Sequence, residues 1–211
     1  MEKKSKSTKN KKNCNNSEIM DKADKGDVNA QFNLGCMYAT GQDVRKNNAK
    51  AVQWFRKAAE QNHATAQFNL GLMYLNGLGV SQDDAQAAQW IKKAAEQEDA
   101  CAQYNLGMMY AQGDGVPKDY AQSALWLERA AEQEEANAQF HLGWIFQYGY
   151  GVPKDEDIAV WWYQRAAEGG HPDAQAKLVV MYKNGRGMSE AYVQAVQWTK
   201  GWAALKGGSN V

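Results

Sequence analysis

Residues 66–77 read AQFNLGLMYLNG, and closely similar stretches begin at Ala30, Ala102, Ala138 and Ala174. Each stretch starts 36 residues after the one before it, and no copy carries an insertion. A constant period of this length is the sequence signature of a repeat architecture, in which one supersecondary unit is stacked several times. The sequence therefore predicts a repeat protein with five copies of one unit.

Each copy contains the pattern of an amphipathic helix that ends in glycine. In the second copy Ala66, Leu70 and Tyr74 are spaced by four residues, which places them on one face of a helix. Gly77 follows, and glycine readily adopts the left-handed conformation found just after a helix. A second glycine comes two residues later in four copies, and the first copy has Asp43 there, a residue type that tolerates this conformation.

A second helix is predicted after each glycine turn. Asn47, Asp83, Asp119 and Asp155 are residue types that cap helix N-termini, and Gln86 gives Asp83 the pattern of a capping box. A tryptophan recurs seven residues after each cap, and we interpret this column as core packing and not as a ladder for stacking ligands. Truncation of one of them to alanine would then cost about 3–5 kcal/mol. The column consists of Trp54, Trp90, Trp126, Trp162 and Trp198.

One helix pair cannot bury both of its faces, whereas stacked pairs can. We therefore predict an all-α fold, an αα superhelix or solenoid of five 36-residue helix-turn-helix repeats. Residues 17–25 are predicted to cap the N-terminal end of the stack, with 1–16 as a basic, disordered tail and 206–211 as a C-terminal tail. The repeats are assigned to 26–61, 62–97, 98–133, 134–169 and 170–205.

The charges are distributed unevenly along the chain. Lys and Arg total 24 and Asp and Glu total 24, yet the first 12 residues hold six lysines against one glutamate. This tail has no arginine and no aromatic residue for stacking on bases, so a nucleic-acid partner is not expected. The chain has no apolar run long enough for a signal peptide or a membrane span. We therefore expect a cytoplasmic monomer; export, or delivery to another cell by a route not visible in the sequence, is the alternative.

These patterns resemble the Sel1-like repeat family, a relative of the tetratricopeptide repeats. In the second repeat the matching residues run from Ala66 through the turn at Gly77 and Gly79 to Trp90 and the Ala-Ala-Glu at 94–96. The resemblance covers residues 26 to about 205 of the 211. It implies a right-handed superhelix whose first helices line a concave face. It also implies an adaptor or scaffold in bacterial signalling, envelope and host-interaction systems, or in eukaryotic protein quality control.

The sequence offers no catalytic or metal-binding constellation. His63 and His171 precede the first helix in two distant repeats and His141 lies in another column, so we interpret all three as solvated or helix-capping. Cys36 and Cys101 have no partner at metal-ligand spacing, and the S-x-x-K and G-x-S-x-G motifs of acyl transfer are missing. We therefore predict no enzyme activity, metal or cofactor. Some cysteine-rich relatives have been described as β-lactamase-like, and such a hydrolase is the least favoured alternative.

The predicted function is that of a scaffold or adaptor that binds a protein or peptide on its concave groove. First helices carry an aromatic column that could clamp apolar side chains, although it can equally pack one repeat on the next, and an asparagine column that could bond an extended main chain. Repeats four and five depart most from the common pattern, so specific recognition is expected there. The same surface could instead block a partner, as an inhibitor or immunity-type protein does. The candidate groove residues are Phe32, Asn33, Phe68, Asn69, Tyr104, Asn105, Phe140, His141, Trp144, Gln147, Tyr148, Lys177 and Lys183.

Overall fold

The computed structural model describes residues 16–183, and every regular element in that range is a helix. Ten helices are described there, which confirms the all-α fold and the alternation of helix and turn. Helix α1 covers residues 16–24. The others are α2 (Val28–Thr40), α3 (Asn48–Glu60), α4 (Ala64–Leu75), α5 (Asp84–Ala95), α6 (Ala100–Gln112), α7 (Tyr120–Glu132), α8 (Ala136–Tyr148), α9 (Glu156–Glu168) and α10 (Pro172–Lys183).

The chain divides into two compact units. Unit 1 comprises Met1–Ala102 with Asp114–Val116, and unit 2 comprises Gln103–Gly113 with Pro117–Val211, in each case for the residues that the structure describes. In unit 1, α2 packs on α3, α3 on α4 and α4 on α5. In unit 2, α7 packs on α8, α8 on α9 and α9 on α10. Helices that follow one another in the chain are therefore neighbours within each unit, as in a solenoid.

A glycine in each first helix allows the second helix of the same repeat to come close. A β-carbon at any of these glycines would overlap the side chain that directly follows the tryptophan in the sequence. Those side chains are buried and form the core between the paired helices. The glycine that follows each leucine is thus required by packing. The pairs are Gly35 with Phe55, Gly71 with Ile91, Gly107 with Leu127 and Gly143 with Tyr163.

The tryptophans are less uniformly buried than the sequence predicts. Trp126 and Trp162 are buried, each 6% exposed, whereas Trp54 and Trp90 are only half-buried. A basic side chain three residues later lies over each ring, so one face of the indole is covered by a cation and its stem, not by another helix. The core-packing interpretation therefore holds fully for two of the four described members. The distances to the ring centre are 4.0 Å for Lys57 on Trp54, 4.1 Å for Lys93 on Trp90 and 4.6 Å for Arg129 on Trp126.

Buried glutamines form a ladder of carboxamides along the repeats. Gln67 on α4 donates through Nε2 to the carbonyl of Ala59 on the preceding helix at 3.1 Å. Its Oε1 accepts a hydrogen bond, 2.7 Å long, from Nε2 of Gln97, which lies at the end of the following helix. One side chain thereby ties a first helix to the second helices on both sides, and its polar atoms are satisfied in a buried position. The same carboxamide bond joins Gln61 to Gln31 at 2.7 Å and Gln133 to Gln103 at 2.8 Å.

The carboxamide ladder is interrupted in the fourth repeat. Gln139 keeps its bond to the carbonyl of Ala131 at 3.1 Å. Gly169 stands where the other repeats have Gln61, Gln97 and Gln133. Among the described residues no side chain donates to Oε1 of Gln139 in place of the missing glutamine.

The second glycine of each turn lies against backbone. Gly79 has φ 74°, and a β-carbon there would overlap the backbone of Asn48 and Ala49 at the start of α3. Gly115 and Gly151 also have positive φ and meet the starts of α5 and α7 in the same way. Asp43 takes the position in the first repeat with φ 61°, so the prediction that aspartate adopts this conformation is correct.

The predicted caps of the second helices are formed, but the capping box is not. Side chains of Asn47, Asp83, Asp119 and Asp155 each accept from a backbone N–H in the first turn of the helix that follows. A capping-box glutamine would accept from the N–H of Asp83 itself. That N–H donates instead to the carbonyl of Tyr74 at 3.1 Å, and each of the other caps bonds the corresponding aromatic residue. This bond fixes the turn between the two helices of a repeat.

Helix α1 covers the apolar side of the first repeat. Ile19 and Met20 pack against a buried cluster formed by Ala23, Ala30 and Leu34. The basic tail before residue 16, the second helix of the fifth repeat with Trp198, and the C-terminal tail lie outside the described residues. No helix between residues 16 and 183 combines the length and the apolar character that a membrane span requires.

Candidate functional site

An apolar pocket of about 570 Å³ opens in unit 2 between helices α6, α7 and α8. Its walls are the first helices of two successive repeats, together with the start of the helix between them. Aromatic and aliphatic side chains dominate the lining, as in sites that hold a side chain or a small ligand. The lining includes Met108, Leu127, Phe140, His141, Trp144 and Ile145.

Four aromatic rings form a cluster at one side of this pocket. Trp144 and Tyr148 are four residues apart on α8, which places them on the same face of the helix, with ring centres 5.4 Å apart. Tyr150 stacks on Trp144 at 4.7 Å and on Tyr120 at 4.9 Å. Tyr120, Trp144, Tyr148 and Tyr150 are called the aromatic cluster below. Tyr148 is 50% exposed, so part of the cluster is accessible to a partner.

Local chain geometry positions the two members of the cluster that lie outside α8. Tyr120 is the first residue of α7, directly after the cap Asp119. Tyr150 lies between Gly149 and Gly151, which have φ 72° and 71°. The same glycine turn that other repeats use to reverse the chain therefore holds this tyrosine against Trp144.

Ser123 on α7 lies in the floor of the pocket. Its side chain is fully buried, and Oγ is the one buried side-chain nitrogen or oxygen without a hydrogen-bond partner in the described part of the chain. Other repeats have alanine in this column, at Ala51, Ala87 and Ala159. The hydroxyl is thus a polar group that is specific to this repeat, in a pocket whose other polar side chains are Gln112, Lys118, Tyr120 and His141.

Two lysines stand beside the pocket. Lys118 is part of the lining and lies 4.8 Å from the ring centre of Tyr120. Lys177 on α10 lies 5.5 Å from the ring centre of Tyr148. Neither lysine forms an ion pair with a described acidic residue. The aromatic cluster is therefore flanked by positive charge that no described carboxylate neutralises.

The predicted aromatic column is half-buried between repeats. Phe32 stacks on His63 with ring centres 4.6 Å apart, and Phe140 stacks on His171 at 4.5 Å. Tyr104 is 5.6 Å from His141. These contacts favour the packing interpretation for the column as a whole, and Phe140 is its one member among the lining residues of the pocket.

The predicted asparagine column is occupied in part by bonds within its own helices. Asn69 donates through Nδ2 to the carbonyl of Thr65 at 2.8 Å, and Nδ1 of His141 lies 2.8 Å from the carbonyl of Asn137. Asn33 is exposed and Asn105 is half-buried, as is Phe68 of the aromatic column. The column therefore does not present a continuous row of unused amides.

Gln147 is not a groove residue. It is buried, and its Oε1 accepts a hydrogen bond from the hydroxyl of Tyr163 at 3.0 Å. Burial raises the pKa of Tyr163, so this phenol stays protonated and acts as the donor. The prediction was wrong because departure from the repeat pattern can reflect a compensating core contact as well as a binding role. Lys183, the last residue of α10, is exposed and does not line the pocket.

The histidines before the first helices are helix caps, as predicted. Nδ1 of His63 accepts from the N–H of Ala66 at 3.2 Å, and Nδ1 of His171 accepts from the N–H of Ala174 at 3.3 Å. Burial is the main cause that lowers the pKa of His171, which keeps the ring neutral and able to accept. In the described range, no group of His, Cys, Asp and Glu side chains is arranged to hold a metal ion.

Sequence reasoning missed Lys118, Tyr120, Ser123 and Tyr150. These residues lie in loops or second helices, whereas the predicted site was sought only on first helices. A partial signal was present in the repeat columns. The equivalents of Tyr120 are Asn48, Asp84, Glu156 and Tyr192, and those of Tyr150 are Gln42, Leu78, Asp114 and Arg186. Tyr150 is the one aromatic residue in its column, and it lies in the same repeat as Trp144.

The repeat pattern also decides the family. A model of the Sel1 repeat matches five consecutive segments, 28–63, 64–99, 102–135, 136–171 and 172–205. The chain belongs to the Sel1 repeat family. Proteins built from Sel1 repeats are generally non-enzymatic scaffolds for protein interactions.

Sel1 repeat proteins of known structure share the fold. A protective antigen present in uropathogenic Escherichia coli strains is 36% identical, with a TM-score of 0.81 over 84% of this chain and 38% of the antigen. A Sel1 repeat protein from Oxalobacter formigenes is 35% identical, with a TM-score of 0.74 over 88% of this chain and 74% of that protein.

A Sel1-like repeat-containing protein of Acanthamoeba polyphaga mimivirus is 50% identical over 38 residues. That match covers 18% of this chain and 6% of the viral protein. The chain therefore spans a small part of the viral protein and well under half of the Escherichia coli antigen.

Proposed function

We propose that this Sel1 repeat protein is a non-enzymatic scaffold that binds a segment of a partner protein in the pocket of unit 2. The observation that carries the proposal is the 570 Å³ apolar pocket beside the aromatic cluster. Aromatic side chains in a partly exposed, rigid position are typical anchors of protein interfaces because they bury much area at little cost in conformational entropy.

The geometry favours insertion of a side chain over a flat contact. Met108, Leu127 and Ile145 form an aliphatic wall, and Phe140 with Trp144 provides ring surfaces. An aromatic or large aliphatic side chain from a partner would be desolvated on several sides there, which is the environment in which a few residues dominate binding energy. The exposed ring of Tyr148 extends this surface beyond the pocket.

The test uses peptides selected from a random displayed library on the purified chain, with affinities measured by fluorescence polarisation. Trp144→Ala should weaken binding about tenfold or more, as expected for an interface anchor. Leu125→Ala is the matched control, because Leu125 on α7 is 41% exposed and lies outside the pocket. Circular dichroism and thermal melts establish that both variants fold.

Selected peptides that bind a folded Trp144→Ala variant as tightly as the unaltered chain would contradict the proposal. The inhibitor or immunity-type alternative uses the same kind of surface. An inhibition assay against an identified partner separates it from a scaffold, since only an inhibitor abolishes the partner's activity.

A further inference from the structure

The pocket floor contains one unsatisfied hydroxyl. Ser123 Oγ is buried and has no described partner, and a buried polar group without a hydrogen bond costs about 1–3 kcal/mol. Alanine at the equivalent positions of the neighbouring repeats, Ala87 and Ala159, shows that the helix pair packs without this oxygen. The packing of the fold therefore does not account for the serine.

The surroundings of Ser123 restrict what can satisfy it. Leu127, one turn further along α7, and Ile145 and Trp144 on α8 line the same pocket. Because Ser123 is 0% exposed, a ligand reaches the hydroxyl only by displacing part of this wall. Such a ligand must be apolar where it meets Leu127, Trp144 and Ile145 and polar at its tip. A phenol fits this description, because its ring matches the walls and its hydroxyl both donates and accepts, as the serine hydroxyl does. A phenylalanine ring would leave Oγ unsatisfied.

The charges beside the pocket restrict the residues next to that phenol. Lys118 lines the pocket and Lys177 lies against Tyr148 of the aromatic cluster, and neither has an ion-pair partner among the described residues. Carboxylates in a bound segment would meet both ammonium groups near the protein surface. This attraction contributes to association rate and to specificity more than to affinity.

We infer that the pocket recognises a tyrosine side chain in an acidic segment of a partner protein, with the phenol bonded to Ser123 Oγ. This inference rests on the proposed function and adds the chemistry of the ligand. The ligand is the unmodified phenol, because a phosphate at its tip would place about two negative charges against the aliphatic side chains beside Ser123, and no arginine lines the pocket to bind it bidentately.

The experiment uses two fluorescein-labelled peptides in which glutamates flank a central tyrosine or a central phenylalanine. Fluorescence polarisation on the unaltered chain should show that the tyrosine peptide binds about fivefold more tightly, the usual worth of one additional hydrogen bond. Ser123→Ala, which installs the residue of the neighbouring repeats, should abolish this preference. The variant should then bind the two peptides about equally, with the affinity that the unaltered chain has for the phenylalanine peptide. Phosphorylation of the tyrosine should weaken binding.

The charge component is measured with Lys118→Gln, with Lys92→Gln in unit 1 as the matched control. Lys118→Gln should weaken binding of the tyrosine peptide and lower the salt dependence of its affinity. Lys92→Gln should change neither quantity. Equal binding of the two peptides to the unaltered chain, or a tyrosine preference that survives Ser123→Ala, would overturn the inference while library-selected peptides still support the proposed function. If neither these peptides nor any selected peptide depends on Trp144, the proposed function fails as well.

Discussion

Gly143 on α8 lies so close to the ring of Tyr163 on α9 that a β-carbon at position 143 would stand 2.8 Å from Cδ1 of the ring. The carbonyl oxygen of Ala159 would be 3.1 Å away on the same helix. Glycine inside a helix costs up to about 1 kcal/mol relative to alanine. Close packing of the helix pair offsets this cost, and the same relation holds between Gly71 and Ile91 in unit 1.

Gly143→Ala should therefore destabilise the fold by about 1–3 kcal/mol, although alanine is the better helix former. The free energy of unfolding from urea denaturation measures the effect. The control is the same substitution in a Tyr163→Ala background, where the ring that the methyl group would meet is gone. There the added cost should largely vanish, and an equal cost in both backgrounds would show that the ring contact is not responsible.

Truncation of the tryptophans should have unequal effects. Trp162→Ala removes a buried side chain and should cost about 3–5 kcal/mol. Trp90→Ala should cost distinctly less, because Trp90 is half-buried and has Lys93 over its ring. Chemical denaturation of the two variants compares identical substitutions in one column. Equal losses would mean that exposure of the indole does not govern its contribution.

Restoring the carboxamide ladder should stabilise the fourth repeat. Gly169 has φ −71° and ψ 3°, close to Gln133 with φ −86° and ψ 18°, so a glutamine fits its backbone conformation. Gly169→Gln should add a hydrogen bond to Oε1 of Gln139, worth about 1 kcal/mol. Gly169→Ala is the control, since it shares the loss of chain entropy in the unfolded state, about 0.4–1 kcal/mol, and the 3.3 Å contact of a β-carbon with Cβ of Ala136. A melting temperature of Gly169→Gln that is no higher than that of Gly169→Ala would show that the bond does not form.

His171 should make stability depend on pH. Burial lowers its pKa, and nearby Asp173, His141 and Glu135 act on it with mixed signs. Its unfolded pKa is about 6.5, so its contribution is complete above about pH 6.5 and is lost as the pH falls from there through the lower folded value.

The comparison for His171 is with His171→Asn, which keeps a capping side chain that does not titrate. Between about pH 7.5 and pH 5, the free energy of unfolding should decrease more for the unaltered chain than for the variant. The same pH dependence in both proteins would exclude His171 as its source.

The fold could be predicted from the sequence because the period and the helix caps are local signals. Spacing of Leu70 and Tyr74 sets one helix face, and Asp83 marks where the next helix begins. The predicted capping box at Asp83 does not form, because the backbone N–H of Asp83 donates to the carbonyl of Tyr74 on the preceding helix. Local pattern does not contain that partner.

The candidate site was predictable in part. Phe140, His141 and Trp144 were identified from their columns, and all three line the pocket. Lys118 and Ser123 were missed because they reach the pocket from a loop and from a second helix. Which side chains converge depends on how three helices pack, and one repeat read alone does not contain this information.

The contacts of the turn glycines restrict how such a chain changes length during evolution. Gly79 meets the start of α3 and Gly151 meets the start of α7, each about thirty residues earlier in the chain. An insertion of a few residues between these partners would place a side chain where only backbone fits. Duplication or loss of a complete 36-residue segment leaves every such pairing in register. Recombination between repeats can thus lengthen or shorten the array without redesign of its junctions.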